Sequence, residues 1–351
     1  MTSSARADIA HTPNNALRAQ LEEILSRHFR HRYQIVKLRR RRSPYSSSFA
    51  IDELDVYLDN GRHLPLVVKD MSLNAMLDEA RRVRPGFLYG PQREISAYQR
   101  FLNRKQLGTA IFYGAVADDD AGRYLLFLER VAGFQLPHAV EFHTWRAVAA
   151  WLGLFHRRFH DRGQKLRETV DSTLIFYQAG FYRSWIARAV RAMERFDRSG
   201  RLGFRREIDR LAANYDRVVD RLLSLPVTLI HGEFYASNII IQHETDALRV
   251  CPVDWETTGI GPGLVDVAAI TGGTWTGPEQ LALTEAYQRA RTGVATSGPV
   301  WRELLESRDY CLLHTAVKNV GWSDDENWTP PQQHAYTWLQ DVIRLSRKLG
   351  L

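Results

Sequence analysis

The stretch LIHGEFYASNIII, Leu229 to Ile241, places a loop of polar residues between two apolar strand patterns. The loop contains His231, Glu233 and Asn238, and polar loops held between strands often carry function. A hairpin pattern follows and ends at Asp254, so the Asn238 amide and the Asp254 carboxylate come to the same end of two paired strands. Hard oxygen ligands of this kind suit Mg²⁺. The spacing therefore predicts a magnesium site, and the structural alternative is a turn-forming asparagine and a capping aspartate.

Lys69 and Glu94 form a second candidate pair. Phosphoryl transfer needs a cradle for phosphates, a cation to hold them, metal ligands and a group that orients the attacking hydroxyl. Lys69 ends the apolar strand PLVVK, and Glu94 lies on the following helix, where it can pair with the lysine. The alternatives are an exposed strand end and a surface carboxylate. The occurrence of both in a strand and the next helix favours a nucleotide site.

The elements that must position these residues divide into two parts. Up to residue 131 the pattern is β-β-β-α-β-β, which predicts an antiparallel sheet with one main helix. Beyond a hinge at Ala132-Gly133 the chain is mostly helical, with long helices predicted over Phe142–His160, Thr173–Asp197 and Phe204–Leu225. We predict an α+β fold with a disordered lead (1–13), an N-terminal nucleotide-binding lobe (14–131) and a C-terminal catalytic and acceptor-binding lobe (132–351).

Two loops carry a specific resemblance. HGEFYASN followed by VDWETTGIGPGLVD resembles the catalytic and metal loops of the aminoglycoside phosphotransferase and choline kinase-like family, which is related to protein kinases. The similarity extends upstream through LVVK, the helix REISAYQRFL and the segment LLFLERVAG, and it covers roughly residues 33 to 270. It implies a two-lobed, protein-kinase-like fold with a nucleotide site between the lobes.

The resemblance also implies which residues contact the nucleotide, which is ATP with GTP as an alternative. Ser46, Ser47 and Ser48 in the turn SPYSSS cover the phosphates with backbone N–H groups and hydroxyls. Lys69 and Glu94 form the ion pair, and the backbones of Glu129 and Val131 meet the adenine.

In the second lobe, the resemblance implies that Asn238 and Asp254 bind Mg²⁺. His231 then ties the catalytic loop to the metal loop, and Asp266 supports the catalytic loop through hydrogen bonds. With Lys69 and Glu233, the two metal ligands make the predicted catalytic set.

Glu233 stands where this family has its catalytic aspartate. The extra methylene moves the carboxylate by about 1 Å or more, and such a displacement can cost on the order of 10²-fold in rate. Two accounts follow. In the first, which we favour because the other expected residues are intact, Glu233 still orients the hydroxyl and the chain is a small-molecule kinase. In the second, the chain is a nucleotide-binding pseudokinase with a regulatory or scaffolding role.

The loop GWSDDENWTPP is the candidate acceptor site. Carboxylates beside indole rings suit a cationic amine or an amino sugar, and the loop supplies Trp322, Asp324, Asp325, Glu326 and Trp328. The alternative is an exposed loop whose aspartates cap the next helix. The expected acceptor is a small molecule with a hydroxyl, such as an aminoglycoside-like antibiotic, another natural product or an amino alcohol.

Composition limits the remaining classes. No apolar run approaches ~20 residues, so no membrane helix is predicted. Cys251 and Cys311 are the only cysteines, which fits a reducing cytoplasm rather than a disulfide framework.

The net charge is +7, with arginines concentrated in RHFRHRYQIVKLRRRR. Nucleic-acid binding is the weaker explanation of this segment, because a charged edge strand accounts for it. The chain has only six lysines, so each one is notable. Nothing in the sequence indicates an oligomeric state.

Overall fold

We describe a computed structural model of the chain, covering residues 14–45, 48–103, 107–168, 173–197, 203–245, 247–273, 275–324 and 332–351. The disordered lead predicted for residues 1–13 lies outside these ranges. The chain forms two compact units: Met1–Arg81 with Tyr89–Ala132, and Arg82–Leu88 with Gly133–Leu351. Among the described helices, none combines the length and the apolar character that crossing a bilayer requires.

The first unit is built on a five-stranded antiparallel sheet in the order β1-β2-β3-β5-β4. Its strands are β1 (Ile35–Arg42), β2 (Ala50–Leu58), β3 (His63–Asp70), β4 (Phe112–Asp118) and β5 (Arg123–Glu129). Its helices are α1 (Asn14–Phe29), α2 (Asp78–Val83), whose last two residues belong to the second unit, and α3 (Pro91–Ala97), which continues as a π-helical turn over Tyr98–Leu102.

Helix α1 covers the sheet through an apolar stripe. Leu17, Leu21 and Leu25 recur at helical spacing, are at most 1% exposed, and pack in one core with buried strand residues. The helix approaches β4 at Gly114, where a Cβ atom would lie only 2.6 Å from Cγ2 of Ile24. A side chain at this glycine would push the helix away from the sheet.

The second half of the basic segment forms the edge strand β1, and the last three arginines of this strand are paired. Arg40 lies 2.6 Å from Asp52, Arg42 lies 3.2 Å from the same carboxylate, and Arg41 pairs with Glu53, all across the β1–β2 ladder. These carboxylates neutralise much of the local charge. The pairing supports the edge-strand explanation of the segment over nucleic-acid binding.

The second unit contains two small sheets and most of the helices. The sheets have the orders β10-β9-β6 and β7-β11-β8, with strands β6 (Phe134–Gln135), β7 (Ile175–Phe176), β8 (Val227–Ile230), β9 (Ile239–His243), β10 (Leu248–Pro252) and β11 (Gly259–Pro262). The helices are α4 (Phe142–Glu168), α5 (Ala179–Phe196), α6 (Phe204–Ala213), α7 (Tyr215–Ser224), α8 (Leu264–Thr271), α9 (Gly277–Thr292), α10 (Gly298–Gly321) and α11 (Gln332–Lys348).

Two predicted helices differ from the structure. The stretch predicted as helix from Thr173 begins instead with β7, which pairs in parallel with Gly259 and Ile260 of β11, and helix starts only at Ala179. The helix predicted over Phe204–Leu225 is two helices, because Asn214 leaves the helical conformation and its Nδ2 donates to the carbonyl of Arg210. Asparagine side chains compete in this way with the backbone ladder.

The segment Arg82–Leu88 belongs to the second unit although the first unit flanks it in sequence. The ring of Phe87 packs edge-on against Phe181 and Trp185 of α5, at centroid distances of 6.0 and 5.6 Å. Nη2 of Arg188 donates to the carbonyl of Val83 at 3.2 Å. These contacts hold the segment against α5.

Two histidines are buried between the helices of this unit, and burial favours their neutral form. His314 on α10 is 1% exposed, and its Nδ1 accepts a hydrogen bond from the hydroxyl of Tyr215 at 2.9 Å. His156 on α4 is fully buried between Tyr287 and Asp266. Burial lowers the pKa of both, and that of His314 falls to about 3 with a further contribution from the charge of Lys318.

We therefore expect the protein to lose stability as the pH falls below about 6.5. In this range the histidines are protonated in the unfolded chain but remain neutral in the folded protein, so acidification favours unfolding. For His314 the loss of stability continues until about pH 3. Each such histidine changes the free energy of unfolding by about 1.4 kcal/mol per pH unit. Urea unfolding midpoints between pH 7.5 and 5.5 measure the slope.

The His314→Gln variant should show a slope that is shallower by an amount that approaches one proton as the pH falls to about 5.5. His160→Gln serves as the control, because His160 is exposed on the same helix as His156. A free energy of unfolding that stays constant between pH 7 and 5.5 would contradict the neutral, buried state of these side chains.

Candidate active site

Lys69 and Glu94 lie together in the first unit. Nζ of Lys69 on β3 is 2.7 Å from Oε2 of Glu94 on α3, and the side chains are 9% and 2% exposed. A buried ammonium needs a partner, because an uncompensated charge away from water is costly. The ion pair therefore fixes the position of the ammonium. Its contact with nucleotide phosphates stays a prediction.

The other predicted nucleotide contacts are only partly described. Ser46 and Ser47 lie outside the described residues, whereas the carbonyl of Ser48 accepts a hydrogen bond from the amide of Leu77 at 3.1 Å. The amide of Glu129 donates to the carbonyl of Ile111, which precedes β4, at 2.9 Å. Val131 follows β5 and is half-buried. The adenine contact of Glu129 and Val131 stays a prediction.

Asp266 supports the loop that follows β8. This fully buried residue of α8 accepts hydrogen bonds from the amide of His231 at 2.7 Å and from the amide of Gly232 at 2.8 Å. Nε2 of His156 lies 3.2 Å from the same carboxylate. Three donors thus converge on one carboxylate, which fixes the backbone immediately before Glu233.

Gly232 is required where this loop turns. Its φ is +84°, and a Cβ atom there would meet the carbonyl of Thr257 at 2.5 Å and the hydroxyl of Tyr177. Only glycine adopts this conformation without strain in so little space. The loop backbone consequently passes close to Tyr177 and Thr257.

His231 connects the predicted catalytic loop with the loop that carries Asp254. Its Nε2 donates to the carbonyl of Val253 at 2.9 Å, and its Nδ1 accepts a hydrogen bond from the amide of Glu233 at 3.3 Å. This pattern requires the neutral Nε2–H tautomer. Burial lowers the pKa of His231 despite the opposing effect of Asp266, so the imidazole stays neutral. Both ring nitrogens are therefore engaged with backbone groups, and the structural role of His231 stays a prediction.

Asn238 and Asp254 lie at one end of the β9–β10 hairpin. The strands pair antiparallel, and the amide of Val253 donates to the carbonyl of Asn238 at 2.8 Å. Asp254 has a φ of +66°, a left-handed conformation that is uncommon for a residue with a side chain. Such conformations cluster at functional sites. The structure thus brings the two predicted metal ligands to neighbouring backbone positions.

The donor chemistry of this pair fits Mg²⁺. Nδ2 of Asn238 donates to the carbonyl of Glu233 at 3.0 Å, which directs the amide so that Oδ1 is the atom to bind a cation. Asp254 is half-buried and adds a carboxylate. The described residues contain no group of three or more His, Cys, Asp or Glu side chains that could form a metal cage. One carboxylate and one amide suit Mg²⁺, which completes its shell with phosphate oxygens and water.

Glu233 pairs with a buried lysine that the sequence analysis did not identify. Its Oε1 is 3.2 Å from Nζ of Lys318 on α10, and the side chains are 14% and 9% exposed. Burial alone lowers the pKa of Lys318, but Tyr235 and Glu233 raise it above its ordinary value, so the lysine is charged. Lysine is scarce in this arginine-rich chain, and that scarcity was the sequence signal that could have drawn attention to Lys318.

Arg84 is a second cation that the sequence analysis missed. Its Nη1 is 2.9 Å from Oε1 of Glu256, and both side chains are at most 7% exposed. Burial lowers the pKa of Arg84, but Glu256, and after it Glu233 and Asp254, raises it above the ordinary value. Arg84 therefore contributes positive charge near the loop carboxylates. No sequence signal separates it from the many other arginines.

The predicted acceptor loop is described only at its start. The indole of Trp322 packs against that of Trp185 at 5.4 Å between centroids. The Asp324 carboxylate is 7% exposed and pairs with Arg188, Arg191 and Arg195. An acceptor amine would have to compete with these three ion pairs. Asp325, Glu326 and Trp328 lie outside the described residues, so the acceptor role of this loop stays a prediction.

A cavity of about 240 Å³ lies beside the predicted catalytic loop in the second unit. Tyr235 and Asn319 form part of its wall, with the tyrosine hydroxyl 3.4 Å from Oδ1 of Asn319. Small and apolar residues from α8, α10 and α11 form much of the remainder. The charged residues in its described wall, Asp341 and Arg344, bond to each other at 2.8 Å. The cavity can hold a compact molecule of low charge.

Comparison with known proteins identifies a family whose sequence model matches this chain and solved structures with a similar fold. A model described as the phosphotransferase enzyme family matches residues 55–306 of the chain. No match to a curated protein was found at the sequence level.

Solved structures of small-molecule kinases are similar in fold to this chain. A choline kinase from Cryptosporidium parvum Iowa II is 12% identical, with a TM-score of 0.59 over 89% of this chain and 90% of that one. Choline kinase LicA from Streptococcus pneumoniae is 13% identical, with a TM-score of 0.53 over 94% and 99%. The ADP-bound aminoglycoside phosphotransferase APH(2'')-Ib is 13% identical, with a TM-score of 0.52 over 93% and 98%. The predicted α+β, protein-kinase-like fold is therefore confirmed.

Proposed function

The chain belongs to the phosphotransferase enzyme family, and from this premise we propose that it moves the γ-phosphate of ATP to a hydroxyl of a small molecule. The observation that carries the proposal is the loop system in the second unit. There Asp266 and His231 fix the backbone around Glu233, and the hairpin brings Asn238 next to the loop of Asp254. This arrangement offers a carboxylate for the acceptor and oxygen ligands for a metal.

Each unit would contribute its own groups. The ammonium of Lys69, held by Glu94, would bind the α- and β-phosphates. Oδ1 of Asn238 and the carboxylate of Asp254 would hold Mg²⁺, with no protein cage around it. When bound, Mg²⁺ would neutralise the charge that develops on the phosphates during transfer.

In the transfer step, the acceptor hydroxyl oxygen forms a bond to the γ-phosphorus while the bond from this phosphorus to the β–γ bridging oxygen breaks. ADP leaves with that oxygen, and the hydroxyl proton passes to Glu233 and then to solvent. Glu233 mainly orients the hydroxyl, because the transition state of phosphoryl transfer is loose and positioning matters more than basicity. GTP is the alternative donor.

The acceptor would lie near Glu233. The cavity beside Tyr235 favours a compact molecule of low charge, such as an amino alcohol or another small natural product, over a polycationic aminoglycoside. The arginines around Asp324 and the net charge of +7 also give a polycation no electrostatic attraction. The predicted loop that begins at Trp322 remains a second candidate for acceptor contacts.

Calorimetric titration of ATP and GTP tests the nucleotide and metal assignments. We expect the wild type to bind ATP with an affinity that requires Mg²⁺, and the Asp254→Asn variant to lose at least tenfold in this metal-dependent affinity, because a carboxylate ligand is removed. Asp59→Asn, which changes an exposed aspartate, serves as the control and should bind like the wild type. Equal binding by Asp254→Asn would remove Asp254 from the metal site, and no binding at millimolar nucleotide would refute the proposed function.

A further inference from the structure

Lys318 is a buried cation that donates two hydrogen bonds to the predicted catalytic loop. Nζ donates to Oε1 of Glu233 and to the carbonyl of Gly232, both at 3.2 Å, and it lies 5.3 Å from the ring centroid of Tyr235. The lysine is near the C-terminal end of α10, far from the loop in sequence. A helix of the second unit therefore places a positive charge directly on the loop carboxylate.

The pair is arranged to restrain the carboxylate. A buried ammonium is tolerated where opposite charge and hydrogen-bond acceptors surround it, and Glu233 and Gly232 supply both for Lys318. A glutamate has one more rotatable bond than an aspartate, so its carboxylate needs an additional contact to occupy a single position. The backbone amide of Glu233 is already held by His231, and Lys318 holds its other end.

We propose that Lys318 is a positioning residue that fixes the Glu233 carboxylate through Oε1 and leaves Oε2 to accept the proton of the attacking hydroxyl. This inference rests on the proposed phosphotransferase function and adds a residue to it. It also explains why a glutamate is functional at a position where the resemblance predicts an aspartate. An aspartate carboxylate would end about one carbon–carbon bond, or ~1.5 Å, short of this contact.

The inference predicts how two substitutions behave in the hydrolysis of Mg·ATP with water as the acceptor. Water forms the bond to the γ-phosphorus, the bridging P–O bond breaks, and ADP, phosphate and a proton are released. Lys318→Met keeps the length and the apolar stem of the side chain but removes the charge. We expect its kcat to fall by about 10²-fold, with the KM for ATP within twofold of wild type. Glu233→Asp should lower kcat by a similar factor, because the shorter carboxylate loses the contact.

Lys348→Met is the matched control, because Lys348 is an exposed lysine of α11 that pairs with Asp309. Circular dichroism would show that the variants are folded at the assay temperature. A double-mutant cycle of Lys318→Met with Glu233→Gln should show that the two effects on kcat are not additive, because Lys318 acts on the rate only through the carboxylate that the second substitution removes.

The outcomes separate this inference from the proposed function. Hydrolysis by folded Lys318→Met within threefold of wild type would overturn the positioning role alone, as would a higher kcat for Glu233→Asp. A rise in KM without a change in kcat would also refute it, since the lysine would then act on nucleotide binding. Wild-type protein that binds Mg·ATP but neither hydrolyses it nor phosphorylates any acceptor would overturn both proposals.

Discussion

Glu233→Gln should lower phosphoryl transfer by about 10²- to 10⁴-fold, the usual contribution of a positioned acid–base group. The amide has nearly the same shape as the carboxylate but cannot accept the hydroxyl proton. The nucleotide should bind within about twofold of wild type, because the predicted phosphate and metal contacts are made by Lys69, Asn238 and Asp254. The measurement is initial rate against acceptor or water, together with a calorimetric titration of Mg·ATP.

The control for this substitution is Glu303→Gln, which changes an exposed glutamate of α10 that pairs with Arg221. It should leave both rate and affinity unchanged. If Glu233→Gln retained full activity, Glu233 would not be the catalytic carboxylate. If the wild type bound nucleotide without transferring phosphate to any hydroxyl, the pseudokinase alternative would be correct.

Asp266→Asn should have the largest effect on stability. The carboxylate accepts from two loop amides and lies within hydrogen-bond distance of His156, and it is completely buried. An asparagine offers one oxygen and turns an NH₂ group toward at least one of these donors. A buried donor without an acceptor costs about 1–3 kcal/mol, so we expect a loss of about 2–4 kcal/mol in the free energy of unfolding.

Urea unfolding measures this loss, and the transfer rate measured where the variant is still folded shows the effect on the loop. We expect that rate to fall at least tenfold, because the backbone before Glu233 loses its support. Asp216→Asn is the matched control, since its carboxylate is 74% exposed in an ion pair with Arg183 and should change stability by less than about 0.5 kcal/mol. A similarly small effect of Asp266→Asn would show that the loop holds its shape without the carboxylate.

The residues that could be predicted from the sequence are those grouped in short, ordered motifs. His231, Glu233 and Asn238 share one loop, Asp254 follows one hairpin later, and that hairpin is present in the structure. Local strand patterns therefore bring these side chains together without knowledge of the remaining chain. Their spacing carries the information.

Lys318 and Arg84 could not be found in this way, because each reaches the site from a distant part of the chain. The lysine lies on a long helix among many buried residues, and the sequence of this helix does not distinguish its position from theirs. Arg84 follows a short helix in a segment without strong periodicity. Only tertiary packing places these cations beside Glu233 and Glu256.

The missed elements of the fold have a similar cause. β11 consists of the residues Gly-Ile-Gly-Pro, and both glycine and proline are depleted in strands. Gly259 and Gly261 are nevertheless needed there, because Cβ atoms would meet the carbonyl of Ile175 and the ring of Tyr177. The strand forms because β7 and β8 pair with it, and the propensities of its own residues carry no information about these partners.

The placement of Arg82–Leu88 has a consequence for any attempt to divide the protein. The polypeptide passes from one unit to the other after Arg81, after Leu88 and after Ala132, so neither unit is a continuous fragment. A protein truncated at Ala132 would carry Phe87 and Arg84 without their partners Phe181 and Glu256. A single recombination point between relatives, or expression of either half alone, would therefore separate Phe87 and the buried Arg84 from the residues that they contact.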